Sequence, residues 1–385
     1  MPHSAAPPFA HYSGSRAPRI VFVGEAWGES EDECKRPFAG ASGRELFLMI
    51  GEGIESAQGP EWHATRGLFR TGLGWIGARD RWAEAVGFGM TNVLAFRPPD
   101  NKIDALCVGK KELPDGYKYG QIDQGRYLGP AYLDELDRLR DELSQCRPNL
   151  VVALGNIACW ALLNSRGISA LRGTATIERL TGLGLKTLPT YHPAAVMRQW
   201  SWRQIVVGDL MKAGREAEFP EVRRPSRIGQ INPFLEQITE RIDWLIAERR
   251  ECAVDIETAK GQITVVGIAW ASNEFITIPL RNFAAGPAGL HPWTAEDEVG
   301  VWLAIRRFLL SDCPKIFQNG LYDIQYFMAM GLRVRNAARD TMLLHHAIMP
   351  EMQKGLGFLG SVYTNEPAWK LMRRKRADEP EKADE

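Results

Sequence analysis

Four apolar runs, rich in β-branched residues, limit what this chain can fold into. Arg19-Ile20-Val21-Phe22-Val23, Met90 to Leu94, Leu150-Val151-Val152-Ala153-Leu154-Gly155 and Lys186 to Pro189 read as strands buried on both faces. Between them the spacing turns helical, as at Leu133, Leu136, Leu139 and Leu143. Alternating strand and helix predict an α/β fold around a parallel sheet. Ligands of such sheets bind outside the carboxyl ends of the strands. Three of the runs lead there into polar segments: Gly24-Glu25-Ala26-Trp27-Gly28, Thr91-Asn92-Val93 and Thr190-Tyr191-His192-Pro193. A fourth segment, Arg36-Pro37-Phe38-Ala39-Gly40, follows the first. A carboxylate, an aromatic ring, an amide and an imidazole would share one crevice. That set suits a flat heterocycle, with a ring to stack on, an amide to read its edge and an imidazole near a developing anion.

At 385 residues the chain is long enough for two cores. The 47 basic and 47 acidic side chains cancel, which excludes nucleic-acid binding by bulk charge but not by a local groove. Residues 151–215 supply such a patch, with eight Lys/Arg against Glu178 and Asp209. No run of about 18 apolar residues suggests a membrane partner. The six cysteines form no CxxC pair, so neither disulfides nor a zinc knuckle is expected, and the implied compartment is a reducing cytoplasm. Composition divides the chain into a disordered leader at 1–18, a first domain at 19–215, a linker at 216–232, a second domain at 233–370 and a charged, disordered tail at 371–385. Within the first domain, Lys102 to Gly129 reads as a long polar loop, which is usually functional or disordered.

The polar segments, in order and with Arg97-Pro98-Pro99 and Leu171-Arg172-Gly173, resemble the uracil-DNA glycosylase superfamily. The likeness is greatest to the branch whose motifs run GEAPG, PFxG, TNxxxxRPP and HP, and it covers roughly residues 18 to 214. It implies a three-layer α/β/α domain with a four-stranded parallel sheet, and hydrolytic excision of uracil from single- or double-stranded DNA. Gly24, Glu25, Ala26, Gly28, Phe38, Asn92 and His192 would then bind uracil. Of these, Phe38 stacks on the base, Asn92 reads N3 and O4, His192 stabilises charge on O2, and Glu25 positions water or the base. Arg97, Arg172, Met197 and Arg198 would face DNA, with Arg198 on a phosphate and an apolar side chain wedged into the stack. Trp27 stands in place of the family's proline, with bulk to narrow or reshape the pocket. The family's N-terminal CxxC is missing and Phe96 replaces a further ligand, so no iron–sulfur cluster and no other cofactor is expected for this half.

In the second half, Asp255-Ile256-Glu257-Thr258 ends an apolar run, and alternation puts Asp255 and Glu257 on one side of a strand. With Gln318-Asn319-Gly320-Leu321-Tyr322-Asp323 and Asp340-Thr341-Met342-Leu343, this resembles the 3′–5′ exonuclease domain of family A DNA polymerases. The resemblance implies a ribonuclease H-like mixed α/β domain in which Asp255, Glu257 and Asp323 hold Mg²⁺ or Mn²⁺ and Asp340 is structural. The family's last acidic motif, YxxxD or HxxxD, has no counterpart after Tyr363. A glycosylase joined to an incomplete exonuclease module is similar to the front end of some bacteriophage replication polymerases. It implies a bacterial or phage-infected host and a separate DNA polymerase subunit as partner. The alternative reading is a non-catalytic DNA- or uracil-binding subunit docked on that polymerase.

Overall fold

The computed structural model describes residues 7–58, 60–71, 74–179, 181–224, 226–282, 292–364 and 366. The chain divides into two compact units, 224–356 and the remainder on either side of it. No helix among the described residues is long and apolar enough to cross a membrane.

The first unit is built on strands β1 (Ser13–Gly14), β2 (Ile20–Ala26), β3 (Phe88–Leu94), β6 (Leu150–Leu154), β7 (Thr176–Ile177) and β8 (Lys186–Thr190), with a small hairpin of β4 (Cys107–Gly109) and β5 (Arg126–Leu128) beside them. The sheet order is β1-β3-β2-β6-β8-β7. Its four central strands are parallel, as expected, and β1 and β7 add short antiparallel edges. Every residue of β3, β6 and β8 is buried, so helices cover both faces. That environment selects the continuous apolar runs seen in the sequence.

Three expectations are corrected here. Residues 7–18 are ordered: Tyr12 is buried and β1 pairs with β3. The polar stretch from Lys102 is ordered by short helical turns and the β4–β5 hairpin, with Trp160 Nε1 donating to the Gly120 carbonyl at 2.8 Å. The stretch taken as a linker ends in a strand, β9 (Ile228–Ile231), which belongs to the second sheet. The tail at 371–385 lies outside the described residues.

The second unit holds β9, β10 (Cys252–Ala259), β11 (Gln262–Ala269), β12 (Glu274–Pro279), β13 (Lys315–Phe317) and β14 (Ala337–Asp340) in the order β14-β13-β10-β11-β12-β9. An antiparallel meander β10-β11-β12 is flanked by parallel β13 and β14 on one side and by β9, parallel to β12, on the other, a mixed sheet as expected. β10 alternates strictly: Cys252, Val254 and Ile256 enter the core, and Ala253, Asp255 and Glu257 face outward. The helix Leu356–Tyr363 is different. From Gly357 onward it groups with the first unit.

Candidate active site

The carboxyl ends of β2, β3 and β8 do meet in one cavity. It has a volume of about 390 Å³, and Glu25, Ala26, Gly28, Phe38, Asn92, His192 and Arg198 all line it, with Trp27, Glu31, Ser42, Pro98, Asn101 and Ala194. Gly24 lies beneath: a Cβ there would overlap Asn92 Oδ1 and come within 2.7 Å of Phe38 Cζ. The glycine is what lets the amide and the ring close over the strand.

Phe38 is buried and sits at φ +53°, a left-handed conformation that costs a bulky residue energy. Two groups hold it there. Buried Arg79 donates to the carbonyls of Phe38 and, at 3.0 Å, Pro37. Gly43 leaves room for the Phe38 carbonyl against the helix Ala41–Gly53. Glu31 then joins this turn to the first motif. Its two carboxylate oxygens accept from the Gly28 N–H at 3.1 Å and the Gly40 N–H at 2.9 Å.

Asn92 is 3 % exposed at the end of β3. Its carbonyl accepts from Arg138 Nη2 at 2.6 Å, and Arg138 pairs with both Glu135 and Glu142, all three buried. Glu142 also accepts from Thr91 Oγ1 at 2.7 Å. Each buried charged group of the network is hydrogen-bonded, as such burial requires, and the network fixes the strand that carries the amide.

His192 caps the helix Pro193–Arg198, with Nδ1 accepting from the Ala194 N–H at 3.2 Å. The single proton of the neutral ring therefore belongs on Nε2, as a donor. Burial, aided by the Arg198 charge, pushes its pKa down to about 4, so the ring is neutral at physiological pH. Gly155, at φ +87°, makes room for it, because a Cβ there would lie 3.0 Å from His192 Cβ. Burial moves Glu25 the other way, above the usual carboxylate range, against the pull of Arg198.

Of the residues expected to face DNA, Arg198 and Met197 are exposed beside the cavity. Arg97 sits at its rim, with Nε donating to Asn101 Oδ1 at 2.7 Å. Arg172 does not reach the surface. It is buried in a two-bond pair with Asp209, one bond at 2.9 Å, and also donates to Ser361 Oγ at 2.7 Å. Sequence reading missed Glu31, Arg79 and Arg138. Only Glu31 left a signal, standing three residues after Gly28 as in a capping box.

The acids of the second unit gather only in part. Asp323 is buried and its Oδ1 accepts from the Ile256 N–H at 3.0 Å. Burial, opposed by that bond and reinforced by the Asp255 charge, pushes its pKa up to about 6. Asp340 uses both oxygens on the N–H groups of Asn319, Gly320, Met342 and Leu343. Among the described residues no three His, Cys, Asp or Glu side chains are grouped to hold a metal ion. Asp255 and Glu257 nonetheless share the outward face of β10, and Asp323 bonds the N–H of Ile256 between them.

The model of the uracil DNA glycosylase superfamily matches residues 11–210, just over half the chain, and the chain belongs to that superfamily. It is similar to the type-4 uracil-DNA glycosylase of Sulfurisphaera tokodaii, 27% identical over 209 residues, which cover 52% of this chain and 71% of that protein. The enzyme of the same name from Archaeoglobus fulgidus is 28% identical over 207 residues, covering 52% and 78%. With this family and these relatives, the protein is a DNA glycosylase. Among solved structures, the EXD2 exonuclease domain soaked in Mn and GMP gives a TM-score of 0.23 at 13% identity, over 40% of this chain and 78% of that one.

Proposed function

We propose that the protein excises uracil from DNA by hydrolysing the N-glycosidic bond. The observation that carries this is the convergence of Glu25, Phe38, Asn92 and His192 on one cavity. A uridine turned out of the stack lies against the Phe38 ring while the Asn92 amide bonds N3 and O4. As the C1′–N1 bond breaks, its electron pair passes to the base and spreads onto O2. The Nε2–H of neutral His192 donates to that oxygen without giving up its proton. Water adds to C1′, and its proton passes to Glu25, whose buried carboxylate holds protons more tightly than usual. Glu25 then releases that proton to solvent and the uracil anion takes one up on N1, so the products are free uracil and an abasic site.

The test is a uracil-containing oligonucleotide incubated with the protein and then cleaved with alkali. His192→Ala should lower the single-turnover rate about 10²–10³-fold, as loss of one oxyanion donor does. If excess wild-type protein leaves the oligonucleotide resistant to alkali, the reading fails.

For the second unit we propose an exonuclease-like module that does not cut on its own. Asp255 and Glu257 share the outward face of β10 beside Asp323, and among the described residues no three such side chains stand grouped to hold a cation. Magnesium-dependent 3′–5′ digestion by the intact chain, abolished by Asp255→Ala, would overturn this.

A further inference from the structure

A second concavity, of about 510 Å³, opens on the first unit between Gly120–Asp123 of the ordered insertion and the residues Asn156 and Asn164–Gly167. Its lining shares no residue with the base cavity, but one chain step joins the two. Gly155 packs against His192, and Asn156 is the following residue, one Cα step of about 3.8 Å away.

The groove is lined with hydrogen-bond donors. Asn156 Oδ1 accepts from the Ile168 N–H at 3.0 Å, and Asn164 Oδ1 accepts from the Gly120 N–H at 2.7 Å. Each carboxamide has thus committed its oxygen to the backbone and keeps its NH₂ to donate. Arg166 adds a guanidinium, tied to Asp123 at 3.3 Å with both side chains substantially exposed. Such a pair is worth little in water and exchanges readily for another anion. Amide NH₂ groups and a guanidinium match an acceptor-only ligand with several oxygens, which is a phosphodiester.

We propose that this groove takes the nucleotide next to the flipped one, with Arg166 leaving Asp123 to grip its phosphate. The proposal rests on the glycosylase reading and extends it to a subsite built by the insertion. The substrate class it defines is a DNA strand that continues past the target base on one side.

The test uses a labelled uracil-containing single strand, a version trimmed to the target nucleotide on one flank and a version trimmed on the other. Binding is read by anisotropy across salt concentrations, and turnover by steady-state kinetics. Arg166→Ala should weaken binding of the full strand about tenfold, the size of one charge-assisted hydrogen bond. It should flatten the slope of log affinity against log salt by about 0.7, one phosphate on single-stranded DNA. It should raise KM and leave kcat unchanged. Asp123→Asn should act in the opposite direction and tighten binding. Trimming one flank should cost the wild type what it no longer costs Arg166→Ala.

Equal binding, salt slope and KM for the wild type and both variants would overturn the proposal. Absence of excision alone would instead sink the glycosylase reading, because the anisotropy arm needs no chemistry.

Discussion

Arg198 modulates two residues whose protonation burial chiefly sets. It lines the cavity with Glu25 and His192, and its charge lowers the proton affinity of both. At Glu25 it opposes burial; at His192 it adds to burial. Arg198→Ala should therefore raise both pKa values. The acid limb of kcat, set by ionisation of Glu25, should move to higher pH. His192 starts from about 4 and should remain neutral at pH 7, so its role as a donor survives. Following kcat rather than KM separates this from any loss of phosphate contact. An acid limb that stays in place would show that Glu25 is not the group being titrated.

At the scale of elements, the site is three strand ends and the Phe38 turn, locked in part by groups that are remote in sequence. Gly24→Ala tests the lock, because its methyl must displace either Asn92 Oδ1 or the Phe38 ring. Misplacing a reacting or orienting group by about 1 Å can cost about 10²-fold, so the excision rate should fall by that order. The thermal midpoint should move little, since the strain can be relieved by the side chains lining the cavity. A normal rate in a folded Gly24→Ala protein would refute the close packing.

The same elements show what the sequence made legible. The central strands and the cavity-lining residues at their ends were readable, because burial on both faces leaves a continuous apolar run and the polar residues that line the cavity follow directly after it. Arg79 and Arg138 were not, because a buried arginine that holds a carbonyl about 40 residues away looks like any surface arginine until the fold is known. Arg172 misled for the same reason. The insertion was read as a loop because its order comes from single side-chain anchors such as Trp160, not from a periodic pattern.

For the whole molecule, the second unit is inserted into the first rather than appended to it, since the chain returns to the first unit at Gly357. The return is fixed by charge. Lys212 donates to the carbonyls of Gly173, Ser361 and Thr364. Arg172 reaches Ser361 Oγ, and Thr174 Oγ1 donates to the Glu366 carbonyl at 3.3 Å. This cover removes the Lys212 ammonium from water, and burial, partly offset by the Asp209 charge, pushes its pKa from 10.5 down to about 8. A lysine depressed in this way binds its proton less tightly folded than unfolded. Its contribution to stability therefore rises as pH climbs from about 8 to 10.5 and is lost as pH falls through 8. Ending the chain at Leu356 should return the ammonium to water and its pKa toward the ordinary lysine range. Urea unfolding of the first unit at pH 8 and at pH 10 measures the outcome, with Lys212→Met in the full chain as the control that removes this one titration. The full chain should gain more stability over that interval than either altered protein. If the shortened chain gains as much as the full one, the returning helix is not what buries Lys212.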